Sequence, residues 1–71
     1  MLKVGDRIAL NKEGFKSKYD LEYYNAWDGQ TLTIESVDEN SDYPYRTKEY
    51  VKGNRTWRKT ECVLHHEENE L

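Results

Sequence analysis

The chain predicts an all-β fold: a small, partly open barrel of five antiparallel strands, with a long first loop that contains a short helical turn. Three observations point there. Short apolar–polar alternations recur along the sequence, Gly- and Asx-containing turn signals separate them, and nine aromatic residues stand in a chain of only 71. That aromatic content argues against disorder, although only 35% of the residues are hydrophobic against a usual 45–50% or so.

The elements follow in order. In residues 3–10, Val4, Ile8 and Leu10 share one parity with Asp6, so a first strand turns three apolar side chains inward, and Gly5-Asp6 marks a kink at its start. Residues 11–30 are too long for a hairpin and too polar for a core element. Within them Leu21, Tyr24 and Trp27 sit three apart, the spacing of a short helical turn over residues 17–27 laid on the barrel. Asp28-Gly29 ends it, because glycine takes the left-handed cap conformation readily. Residues 31–37 form the clearest strand, with Leu32 and Ile34 on one face and Thr31, Thr33 and Glu35 on the other.

Asp38 to Asp42 is a polar turn. The strand after it, residues 43–50, carries Pro44 near its beginning, which predicts an edge position for its start. Lys52-Gly53-Asn54 signals a hairpin, residues 55–58 the return strand with Trp57, and residues 62–64 a last short strand. The predicted core is Val4, Ile8, Leu10, Leu32, Ile34, Val37, Tyr45, Trp57, Cys62 and Leu64. Residues 1–64 thus make one domain, and residues 65–71 an acidic, flexible tail.

Composition narrows the function classes. No apolar run approaches the roughly 18 residues of a membrane span, and the polar Gly5-Asp6-Arg7 so near the start predicts no secretory leader. One cysteine, Cys62, makes no internal disulfide, which points to a reducing, cytoplasmic setting. The net charge is −3, yet residues 1–64 carry eleven basic and eleven acidic side chains. Glu35, Asp38, Glu39 and Asp42 form an acidic stretch, followed by a basic one of Arg46, Lys48, Lys52, Arg55, Arg58 and Lys59, so the body is dipolar without the dominant basic face of a typical nucleic-acid binder.

Chemistry-bearing constellations are few. Asp38, Asn40, Asp42 and Glu49 imitate the spacing of a calcium loop, but Tyr43 stands where the sharp turn needs glycine, so a solvated turn is expected. Cys62, His65, His66, Glu67 and Glu68 lack the second ligand pair of a structural zinc site, so no metal and no cofactor is expected. Both histidines lie at the chain end and the four glycines are scattered, which disfavours nucleophilic triads and phosphate loops. A barrel this small is not expected to have room for a deep pocket of about 300 Å³ or more, and no enzyme is predicted.

Two surfaces are left as candidates. Phe15, Tyr19, Tyr23, Tyr24 and Trp27 crowd into the first loop, either as a lid on the small core or as exposed interface anchors. The basic hairpin over residues 46–59 is either a solvated face, a grip on phosphates, or a partner for an acidic protein surface.

Lys3-Val4-Gly5-Asp6-Arg7-Ile8, then Gly29-Gln30-Thr31-Leu32-Thr33-Ile34, then Trp57 and Glu61-Cys62-Val63, make a pattern spread over most of residues 3–64. It resembles that of small Src-homology-3-type barrel proteins encoded by bacteriophages and prophages. The long insertion at 11–27 is similar as well, whereas Cys62-Val63, where a Leu is commoner, and the acidic tail depart from it. Most members of that group have no assigned activity, and some small phage proteins of this size bind and inhibit host enzymes or defence complexes.

The resemblance implies a monomeric, non-enzymatic accessory protein of the host cytoplasm that binds a host protein; residue chemistry makes Tyr19, Tyr23, Tyr24, Trp27, Arg55 and Arg58 the expected contacts. One alternative is an RNA- or DNA-binding barrel using Arg46, Lys48, Lys52, Arg55, Arg58 and Lys59. The other is a peptide-binding adaptor using the aromatic loop at 15–27.

Overall fold

The computed structural model describes residues 2–65. Its five strands are β1 (Arg7–Leu10), β2 (Leu32–Val37), β3 (Tyr45–Val51), β4 (Asn54–Trp57) and β5 (Cys62–Leu64). All pairings are antiparallel, in the order β4-β3-β2-β1-β5, and the sheet curls into a half-barrel. A first 3-10 turn (Lys12–Gly14) and helix α1 (Lys18–Trp27) occupy the long loop between β1 and β2, and a second 3-10 turn (Lys59–Glu61) joins β4 to β5. The all-β expectation holds, with more helix than the short turn foreseen: α1 has ten residues, about three turns.

The kink before β1 is a turn in which Gly5 takes φ 93°. Asp6 accepts a hydrogen bond from the Lys3 backbone N–H at 2.9 Å, and that bond is the main reason its carboxyl lies below the usual aspartate range. Gly5 N–H donates to the Ile34 carbonyl, and Ile34 N–H to that of Asp6, both at 2.9 Å. The turn therefore docks on β2, but it breaks the alternation. Val4, expected inside, is 60% exposed, and Leu64, also expected inside, is 43% exposed at the end of β5.

Leu32 and Ile34 are fully buried. Val37 has the opposite parity yet packs against the same core. The register explains this: Ile34 pairs with Thr47 but Ser36 with Arg46, so Glu35 is an extra residue in β2. Such a bulge swings the residues beyond it to the other face.

In β3 the odd positions Tyr45, Thr47 and Val51 point inward. β3 lies between β2 and β4 rather than at an edge. Pro44 is compatible with that position because it stands one residue outside the strand, where no ladder N–H is needed. Lys52 and Gly53 both have positive φ, 53° and 80°, as the tight two-residue hairpin with a type I′ turn requires.

Phe15 and Val51, which the alternation did not place in the core, are buried with Trp57 at its centre. Trp57 is 1% exposed and its indole N–H donates to Thr47 Oγ1 at 3.1 Å. Phe15 meets it edge-on, with ring centroids 6.3 Å apart.

Phe15 reaches that place because the first 3-10 turn is tied to the second. Asn11 N–H donates to the Glu61 carbonyl at 2.8 Å, and Asn11 Nδ2 to the Thr60 carbonyl at 3.2 Å. Gly14 lies so close that a Cβ there would stand 2.2 Å from the Thr60 oxygen. Ser17 then caps α1, its Oγ accepting from Asp20 N–H at 3.0 Å. The helix ends with Asp28 and Gly29 both at positive φ, so the left-handed cap falls on Asp28, one residue before the glycine expected there. Leu21, Tyr24 and Trp27 face the core as their spacing predicted, joined by Tyr23.

The predicted flexible tail, apart from His65, lies outside the described residues. Among the described residues no helix is long and apolar enough to cross a membrane.

Two substitutions test this architecture. Gly14→Ala should lower stability by about 1–3 kcal/mol, since backbone on both sides must yield to the added methyl. Thr47→Val keeps the shape but strands the Trp57 N–H in the core, at a cost of about 1–3 kcal/mol. Urea midpoints measured by Trp fluorescence read both; wild-type stability in either variant would refute the corresponding contact.

Candidate functional site

Anchoring the long loop lays α1 beside β4 and leaves a cleft between them of about 360 Å³. This volume lies within the range of small-ligand sites, but the cleft is open to solvent and is not the deep pocket that a barrel this small is expected to lack. The helix contributes one wall. Tyr19 and Tyr23, four residues apart and hence on one face, line it together with Asp20. Tyr43, from the turn between β2 and β3, lines the cleft as well. Core rings Phe15 and Trp57 reach the cleft from below, and Asn54, Thr56 and Glu61 complete it.

Arg58 ties the two walls together. Its guanidinium donates to the Tyr43 hydroxyl at 2.8 Å, sits 5.0 Å from the centre of the Tyr43 ring, and pairs with Asp20 Oδ2 at 3.6 Å. The Tyr43 hydrogen bond is the main reason its pKa lies above the usual arginine value, so this cation is permanent.

Glu61 is 4% exposed and accepts the Arg58 backbone N–H at 2.7 Å. Burial pushes its carboxyl upward, and Asp20 adds to the rise, while the Arg58 backbone bond and charge oppose it.

Of the aromatic residues singled out from the sequence, Tyr19 (78% exposed) and Tyr23 face the cleft. Tyr24 and Trp27 act as a lid: Tyr24 packs at a tilt between Phe15, at 5.8 Å, and Trp27, at 5.7 Å, and the Trp27 indole N–H donates to the Gln30 carbonyl. Asp20, Tyr43 and Glu61 were not singled out. Nothing local marks them; they meet only because α1, the 38–44 turn and the second 3-10 turn converge.

The basic hairpin is largely paired. Arg46 and Arg55 both reach Glu35 Oε2, at 3.4 and 3.7 Å, and Lys52 reaches Glu22 Oε1 at 2.6 Å. Arg55 also lies 5.0 Å from the centre of the Tyr50 ring, away from the cleft. Lys48 and Lys59 are exposed.

The calcium-like segment forms a turn with its own bonds: Asp38 Oδ1 accepts from Asn40 N–H and Ser41 Oγ from Tyr43 N–H. Glu49 is engaged elsewhere, accepting from Thr33 N–H at 2.7 Å. Burial pushes the Cys62 thiol up to about 12, which keeps it protonated and unreactive. Among the described residues no three His, Cys, Asp or Glu side chains gather as metal ligands; His66, Glu67 and Glu68 lie outside that set.

Comparison with protein-family models, with curated proteins and with solved structures finds no match to this chain.

Glu61 makes a pH prediction. Its folded pKa lies above the ordinary 4.5, so the folded state holds the proton more tightly than the unfolded chain, and stability falls as pH rises from 4.5 through the raised value. Glu61→Gln keeps an acceptor for Arg58 N–H without the buried charge. The variant should be more stable than wild type at pH 7, with the difference closing below about pH 4.5. Urea denaturation at pH 4 and pH 7 measures it; a variant that is less stable at pH 7 would show that the charge is needed.

Proposed function

We propose that this chain is a non-enzymatic protein-binding module, a Src-homology-3-type barrel of phage or prophage origin that binds and inhibits a host protein in the host cytoplasm. The observation that supports it best is the tyrosine-walled cleft with Tyr19 standing free at its rim. Tyrosine offers a large, amphipathic contact surface at small rotamer cost, the profile of an interface anchor.

The architecture is consistent with the barrel type: five strands, one long first loop, and a 3-10 turn leading into the last strand. The titratable groups of the cleft are engaged structurally, Asp20 by Arg58 and Glu61 by the Arg58 backbone, which favours binding over catalysis. The nucleic-acid alternative has less support, because Arg46, Lys52, Arg55 and Arg58 already face carboxylates. The peptide-adaptor reading uses the same cleft and differs only in what enters it.

Capture from bacterial lysate, with and without nuclease, tests the proposal. The bound protein should survive nuclease. Tyr19→Ala should weaken its capture by about 30-fold, the scale of a 2 kcal/mol anchor, with an unchanged melting midpoint because the ring is exposed. Loss of all bound material on nuclease treatment would overturn the proposal in favour of nucleic acid, and undiminished capture by Tyr19→Ala would move the interface off the cleft.

A further inference from the structure

Charge and shape in the cleft are one-sided. Its lining holds two carboxylates, Asp20 and Glu61, and three tyrosines, without a lysine or arginine among the described residues that form it. The complement of such a lining is a cation flanked by rings. A cation is already recognised at its edge. Arg58 lies over the Tyr43 ring, bonds the Tyr43 hydroxyl and faces Asp20, so the three contacts of a guanidinium site are all present.

We propose that the cleft takes an arginine side chain presented by the protein partner, and that Arg58 is its internal competitor, holding Tyr43 and Asp20 until the incoming guanidinium displaces it. This rests on the reading of the cleft as a docking site.

Three features support exchange. The Arg58 side chain is 43% exposed, so it swings into water without opening the core. Its two anchors belong to different elements, α1 and the 38–44 turn, and both line the cleft, so a second guanidinium entering it meets the same pair. Glu61 is buried and lines the same cleft, and its carboxyl accepts on Oε1 from a backbone N–H, that of Arg58. An incoming cation therefore finds a second carboxylate, one that Arg58 hydrogen-bonds through its backbone and otherwise meets only as a nearby charge.

A guanidinium suits the site better than an ammonium, because a planar fork stacks on a ring while its edge bonds a carboxylate. The other nearby cation, Lys52, lies 5.7 Å from the centre of the Tyr23 ring and is paired with Glu22. It thus adds little net charge beside the cleft.

The test is titration with N-acetyl-arginine amide, followed by backbone amide NMR shifts at Tyr19, Tyr43 and Glu61. N-acetyl-citrulline amide serves as the uncharged control. Arg58→Gln should bind the arginine probe about fivefold more tightly than wild type, the scale of one exposed ion pair removed from competition. Adding Asp20→Asn should cancel the gain. Should Arg58→Gln fail to fold, Arg58→Lys decides the question: an ammonium cannot bond the hydroxyl and Asp20 through a planar fork, so it competes less and should also tighten binding.

Weaker or unchanged arginine binding in the deciding variant would show that Arg58 builds the cleft and would overturn the competition. Equal binding of citrulline would overturn the cation. Either result leaves the docking role intact, which the lysate capture with Tyr19→Ala decides separately.

Discussion

The closeness of Gly14 to the Thr60 carbonyl is the constraint on which the rest of the molecule depends. A long loop leaving β1 would otherwise cost conformational entropy with little return. Here the chain is pinned within its first four residues, by two hydrogen bonds from Asn11 and by a backbone approach that only glycine permits. Pinning sends Phe15 into the core beside Trp57, and Ser17 follows at once as the cap of α1. The helix therefore starts over β4, with Tyr19 and Asp20 in its first turn. Glu61 serves both ends of this arrangement: its carbonyl holds Asn11, and its carboxyl holds the Arg58 backbone.

α1 works with two aromatic faces. Tyr24 and Trp27, three apart, close over Phe15 and supply apolar cover that a core of short strands lacks. Tyr19 and Tyr23, four apart, look along the cleft. With so few aliphatic residues the same short helix is both lid and wall. The choice between lid and interface that its aromatic crowding suggests is resolved residue by residue.

Much of the fold was legible in the sequence, because it depends on local periodicity and turn chemistry. Leu32 and Ile34, the Lys52-Gly53 hairpin, and the helix between Ser17 and Asp28 all follow from short-range rules. What escaped is long-range. Phe15 sits between glycine and lysine with no period to reveal it. Val51 belongs to an inward row whose middle member is Thr47, a polar residue made acceptable by the Trp57 N–H. The bulge at Glu35 shows only in the register. Of the candidate site, Tyr19, Tyr23 and Arg58 were legible as residue types. Asp20, Tyr43 and Glu61 were not, since their role arises from elements far apart in sequence.

The apparent separation of charge has the same explanation. An acidic stretch followed by a basic one reads as a dipole along the chain, but where antiparallel strands join the two stretches they are brought face to face. Glu35 of β2 thus lies against Arg46 of β3, with Arg55 of β4 reaching the same carboxylate. Exposed pairs of this kind add little stability, yet they weaken the field the hairpin projects, and beyond about 8 Å physiological salt screens what is left. Association by this surface then gains little from long-range steering. Recognition must come from what a partner meets on contact, and the cleft between α1 and β4 offers tyrosine rings beside the Asp20 carboxylate, which the exposed Arg58 side chain covers.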